Sequence, residues 1–176
     1  FARANYKFDN KYLLSLGGRV DGSSRFGKDN QYGFFPAASA GWVLSEENFL
    51  SSSKTISFLK LRASYGISGS DDGFGDFGSL GLWGAAKYNN VSGLVPTQLP
   101  NPGLKWERSE QTDIGLDFGL FNNRLSGEID YYVRNTRDLI YSVPVPGTSG
   151  YTTQLTNVGS MQNKGFEFVL NSVNIS

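Results

Sequence analysis

Cysteine and histidine are both absent from the 176 residues, and methionine occurs once. Without cysteine there is no disulfide framework and no thiolate metal site. Without histidine there is no imidazole ligand, no Ser-His-Asp triad and no histidine general base. No cofactor or metal is expected. An excess of either charge is missing too: 16 Lys+Arg balance 16 Asp+Glu, and the isoelectric point is near 6.5. A nucleic-acid binder carries a basic stripe, so the balance argues against one. Charged residues make up 18%, below the roughly 25% of soluble domains. Long apolar runs are lacking as well. The longest, Phe34–Leu44, holds Pro36 and Ser39, and a membrane helix needs about 18 apolar residues or more. Mean hydropathy is −0.31. Phe1 opens directly into an alternating segment without the basic start and apolar core of a signal peptide. The expectation is a processed chain or part of a longer one.

What is present is glycine (22 residues) and aromatics (13 Phe, 9 Tyr, 3 Trp), arranged with a period of two. Leu125, Gly127, Ile129, Tyr131 and Val133 alternate with Ser126, Glu128, Asp130, Tyr132 and Arg134. A helix would scatter these charges around its axis, whereas a strand sorts them onto one face. Thr112–Leu120 behaves alike, and Phe121–Arg124 joins the two as a tight turn, which predicts a β-hairpin. Ala2–Phe8, Tyr12–Asp21, Phe34–Leu44, Leu59–Ser68 and Phe166–Asn171 complete about seven strands. Only Ser45–Leu50 reads as helical, with Ser45 as N-cap before two acidic residues. The connections alternate. Asp9–Lys11 and Phe121–Asn123 are short, and Ser45–Ser57 is of medium length. Gly22–Gln31, Gly69–Lys105 and Asp138–Lys164 are long and rich in Gly, Ser, Asn and Pro. Short turns on one edge and long loops on the other are the layout of an outer-membrane β-barrel, whose strands are half apolar and half polar.

The polar rows carry Arg3, Lys7, Arg19, Lys60, Arg62, Asp113, Asp117, Glu128, Asp130, Arg134 and Glu167. Burying so many ions in a small dry core costs several kcal/mol each unless they are paired, and a water-filled lumen removes that cost. Arg19, Lys60, Arg62, Asp113, Asp117, Glu128, Asp130 and Arg134 are therefore expected to face the lumen. Lys60 and Arg62 are expected opposite Asp113 and Asp117 if their strands pair antiparallel. Tyr6, Phe8, Tyr12, Tyr32, Phe34, Trp42, Tyr65, Trp106 and Tyr141 suit girdles at the membrane interfaces. Trp83 and Tyr88 lie in the longest loop and are the candidate ligand-binding residues, able to stack on a sugar; loop packing is the plainer reading. Gly73–Gly78 matches G-x-G-x-x-G but lacks the following helix and acidic residue of a dinucleotide site. Asp71, Asp72 and Asp76 offer oxygens for Ca²⁺, at a spacing that matches no EF-hand and reads more simply as a solvated loop. Glu107 with Glu110, or Asp113 with Asp117, gives a carboxylate pair of the kind used in glycoside hydrolysis, but Asp113 and Asp117 fall on a regular strand row. No catalytic residue is assigned.

With these segments placed, the local motifs resemble those of the starch-utilisation-type (SusC/RagA-like) TonB-linked outer-membrane transporters. They run in order: Arg19–Gly27 (RVDGSSRFG), Phe35–Trp42 (FPAASAGW), Ser45–Leu50 (SEENFL), Leu59–Gly66 (LKLRASYG), Asn101–Glu107 (NPGLKWE), Glu110–Asp117 (EQTDIGLD), Asp130–Tyr132, Asn157–Gly159 and Asn163–Glu167. The resemblance implies an all-β fold: an antiparallel transmembrane segment of about seven strands, within a barrel of about 22 strands filled by a plug. It implies import of glycans or peptides across the outer membrane of a Gram-negative bacterium. The implied partners are membrane lipid, a SusD-like surface lipoprotein lid and the TonB complex. Residues 1–176 would form a partial barrel domain, with no plug and no TonB box among them. Two rivals stand beside this reading: a small self-standing β-barrel or sandwich with a binding or adhesive role, and an outer-membrane hydrolase, which fails on the missing histidine.

Overall fold

A computed structural model describes residues 1–174. Seven strands form one antiparallel sheet: β1 (Ala2–Phe8), β2 (Tyr12–Gly22), β3 (Tyr32–Val43), β4 (Ile56–Ser70), β7 (Glu107–Leu120), β8 (Leu125–Arg137) and β11 (Ser160–Ser172). Each strand pairs with the next one in this order, without crossovers. Two hairpins stand apart within the long loops: β5 (Leu82–Tyr88) with β6 (Val91–Gln98), and β9 (Ile140–Pro144) with β10 (Thr153–Asn157). The seven expected strands are the seven of the main sheet; β1 has the expected bounds, the others run further at their loop ends, β4 also begins three residues earlier at Ile56, and β3 stops at Val43 rather than Leu44. The two hairpins are additions within segments that read as irregular.

The turns follow from local chemistry. Asp9 and Asn10 take positive φ between β1 and β2, and Phe121, Asn122 and Asn123 do so between β7 and β8. Asn tolerates the left-handed region because its short polar side chain bonds locally. Asn89 and Asn90, also at positive φ, close β5 onto β6, as a two-residue primed turn requires.

The expected helix at Ser45–Leu50 is not formed. Leu44–Glu46 makes a single 3-10 turn, Glu47 is already extended, and no side chain caps the turn. Glu47 is instead drawn into side-chain bonds: its carboxylate accepts from the Tyr12 hydroxyl at 2.8 Å and the Trp42 indole N–H at 3.0 Å, with Lys11 Nζ at 3.5 Å. These bonds hold its backbone out of the helical path.

The exposure pattern of the sheet is inverted relative to a soluble protein. Ile114 is 52% exposed and Phe166 79%, while the side chains of Asp117 and Asp130 are 18% exposed. Among the described residues the buried apolar ones are Phe26, Phe35, Val43 and Leu104, three of them gathered at the loop end. Total accessible surface is 12063 Å², against about 8,500 Å² for a folded monomer of 19.3 kDa.

Candidate functional site

The polar face of β4, β7, β8 and β11 forms a regular lattice. Lys60 lies opposite Asp117, and Asp117 opposite Glu128. In the next row Arg62, Gly115, Asp130 and Glu167 lie side by side. Ser64, Asp113, Tyr132 and Gly165 follow, then Gly66, Gln111, Arg134 and Asn163. Arg62 is the hub. Its Nε reaches Asp117 at 2.7 Å, and its Nη2 reaches Asp130 at 2.7 Å and Glu128 at 3.4 Å. It spans β7 to do so, which the missing side chain of Gly115 permits. A Cβ there would meet the Asp130 carboxylate and sit 2.8 Å from Arg62 Cζ. Lys60 reaches Asp117 at 3.3 Å. Asp113 accepts from Ser64 at 3.0 Å and Gln111 at 2.8 Å, and Arg134 donates to Gln111 at 2.8 Å. Arg19 stands apart on β2, paired with Asp21 at 2.6 Å.

Five of the eight charged residues singled out from the sequence, Lys60, Arg62, Asp117, Glu128 and Asp130, thus share one network; Asp113 and Arg134 are joined through Gln111 in a second chain of bonds beside it, and Arg19 joins neither. Asp113 and Asp117 are committed to Ser64, Gln111, Lys60 and Arg62, an arrangement suited to fixing strands and coating a wet surface rather than to paired acid–base chemistry. Shallow cavities of about 460 and 490 Å³ open over this face, the second bounded by Gln111, Asp113, Tyr132, Arg134, Asn163 and Glu167 among others.

Trp83 is on β5, 67% exposed. Tyr88 ends that strand, and its side chain lies outside what the structure describes. The acidic loop does not gather into a cation site. Asp76 bonds Arg25 Nε at 3.2 Å, Arg25 also donates to the Asp71 carbonyl at 2.8 Å, and no metal-ligating group of three appears among the described residues.

Sequence reasoning missed a knot that ties the long loops together. Leu104 is fully buried and Phe26 1% exposed. Trp106, expected in a girdle, instead packs 4.9 Å from Phe26 and 5.5 Å from Phe35, and its indole donates to the Gln31 carbonyl at 3.2 Å. Tyr141, also expected in a girdle, sits on β9 outside the main sheet. Gly27 lies so close to the Pro102 carbonyl that a Cβ would collide with it, and its N–H donates to the Leu104 carbonyl at 3.3 Å. Asn157 accepts from the Lys105 N–H and donates to the carbonyls of Lys105 and Asp138, while Asn101 donates to the Leu155 carbonyl. Gln98 donates to three carbonyls at the hairpin base, those of Phe77, Gly78 and Leu80. The apolar residues Leu104 and Trp106 within a polar loop were the available signal.

Comparison with known proteins agrees with this geometry. The chain is 42% identical to TonB-dependent receptor P3 of Formosa agariphila, over 100% of this chain and 18% of that protein. It is 42% identical to TonB-dependent receptor SusC of Bacteroides thetaiotaomicron, over 98% of this chain and 18% of that protein. The solved structure of the RagAB peptide importer in its closed-closed state superposes with a TM-score of 0.90 at 36% identity, covering 99% of this chain and 19% of that one. The chain therefore spans about a fifth of the length of these relatives. A model of the TonB dependent receptor-like β-barrel matches residues 1–174, and with the sheet, register and relatives in agreement, the chain belongs to the TonB-dependent receptor β-barrel family, among its SusC/RagA-like members.

Proposed function

We propose that this chain is part of the wall of an outer-membrane TonB-dependent importer of nutrients in a Gram-negative bacterium. The observation that carries the reading is the inverted exposure of the sheet. Its apolar face is the exposed one, as hydrocarbon requires, and its charged face is knit by ion pairs, as a water-filled lumen permits. On this reading Arg19, Lys60, Arg62, Asp113, Asp117, Glu128, Asp130 and Arg134 coat the lumen. The loops bearing β5–β6 and β9–β10 stand outside the cell, and the role of the segment is passive rather than catalytic. Energy would reach the full-length protein from the TonB complex, and a SusD-like surface lipoprotein would cover its loops.

The cargo proposed is a glycan or oligosaccharide, with Trp83 and Tyr88 as loop contacts, because aromatic rings stack on the flat faces of sugars. A peptide cargo is the second reading, favoured by the 36% identity to a protein described as a peptide importer. Calorimetry on the full-length protein with oligosaccharides and with short peptides decides between them. Trp83→Ala with Tyr88→Ala weakens glycan binding if the loop contact is right, and unchanged glycan affinity sinks it.

A further inference from the structure

We propose that the loop end of the apolar face holds a docking site for an outer-leaflet lipid bearing a phosphate monoester, with Arg108 and Arg137 as its anion-binding pair. The inference rests on the reading of that face as lipid-facing. On β7 and β8 this face carries Ile114 and Tyr131, directly opposite one another. At the short-turn end the same two strands oppose Leu120 with Leu125. At the loop end they oppose Arg108 with Arg137. Like charges directly across a strand pair are destabilising, and both residues are exposed.

The surrounding charges leave Arg108 unneutralised. Glu110, on the same face, stands 3.9 Å from Arg137, and Lys105 is taken by Asp138 at 3.1 Å. Among the described residues no carboxylate forms an ion pair with Arg108, whose contact is the Phe34 carbonyl at 3.4 Å. A cavity of about 340 Å³ opens beside it, lined by Tyr32, Phe34, Pro36, Lys105 and Arg108, with Asp29 as its carboxylate.

The chemistry fits a phosphorylated headgroup. A guanidinium presents parallel N–H donors that match phosphate oxygens. Tyr32 and Phe34, 77% and 59% exposed, supply the ring surface found where acyl chains meet headgroups. Cations at that depth attract anionic lipid by about fivefold in affinity per residue.

The test uses the full-length protein in detergent, titrated with monophosphorylated lipid A, with phosphatidylethanolamine and with inorganic phosphate, and read by native mass spectrometry. Arg108→Gln and Arg137→Gln should each weaken lipid A binding about fivefold, and together about thirtyfold, with phosphatidylethanolamine unaffected. Unchanged lipid A affinity in the double variant overturns the proposal, and so does displacement of lipid A by equimolar inorganic phosphate. Should the double variant not fold, Arg108→Lys keeps the charge and removes the fork. A several-fold loss is then expected, and wild-type affinity rejects the arginine assignment. A spin label at Ile114→Cys separates the two readings. A water-accessible label refutes the lipid-facing orientation and the proposal with it. An oxygen-accessible label with unchanged lipid A affinity refutes the arginine pair alone.

Discussion

Gly115 shows how a residue with no side chain organises four that have one. Arg62 lies opposite it in the β4–β7 register, so the guanidinium crosses β7 over a bare backbone to reach Asp130 on β8. Gly115→Ala puts a methyl into the Asp130 carboxylate and against the guanidinium. Overpacking of this kind costs about 1–3 kcal/mol, so the urea unfolding midpoint in detergent should fall; an unchanged midpoint would mean that Arg62 does not lie over this glycine. Glu47 organises its neighbours through its own side chain, at the short-turn end where β2 begins and β3 ends. The bond from the Trp42 indole, then that from the Tyr12 hydroxyl, holds its carboxyl below the ordinary value of 4.5. A depressed folded-state value means that the stabilisation is present above the unfolded carboxylate's 4.5 and is lost as pH falls through the lower folded value. Stability measured from pH 7 to pH 3 should therefore fall more steeply in wild type than in Glu47→Gln. Parallel curves for the two would remove Glu47 from the account.

At the scale of elements, the long strands were legible because sorting by face is complete along their central stretches: Glu128, Asp130 and Arg134 fall on one row and Ile129, Tyr131 and Val133 on the other. β5–β6 was not, because Gly84, Gly93 and Pro96 interrupt the alternation, although Asn89-Asn90 is a turn signal in plain view. The misread helix has a different cause. Ser45-Glu46-Glu47 has good local helix-start chemistry, but the partners of Glu47 come from β2 and β3, and tertiary bonds override a single turn's propensity. The loop knot makes its own prediction. Leu104→Ala removes a fully buried side chain, a loss of about 2–5 kcal/mol of local packing. Because Leu104 itself lies in a loop outside the main sheet, the loss should appear as faster proteolysis between residues 70 and 106, with the barrel's unfolding midpoint unchanged. Equal proteolysis rates would show that Phe26, Trp106 and the asparagine bonds suffice without it.

For the whole molecule, the accessible surface exceeds that of a compact monomer by about 40%, and β1 and β11 each pair along one edge only in the main sheet. A sheet with open edges and an exposed apolar face has no stable arrangement in water. The 176-residue chain expressed by itself should aggregate or require detergent. A soluble monomer with a cooperative melt in plain buffer would restore the rival of a self-standing β-protein. The sequence by itself determined the strands, their two faces and the alternation of short turns with long loops, because period-two patterning is a local property that no partner is needed to reveal. Only the tertiary structure decided which charges meet, that Trp106 packs inward rather than toward lipid, and that the long loops are tied into one knot. Those facts depend on register and on contacts between residues dozens of positions apart, and a one-residue shift in pairing would have changed every one of them.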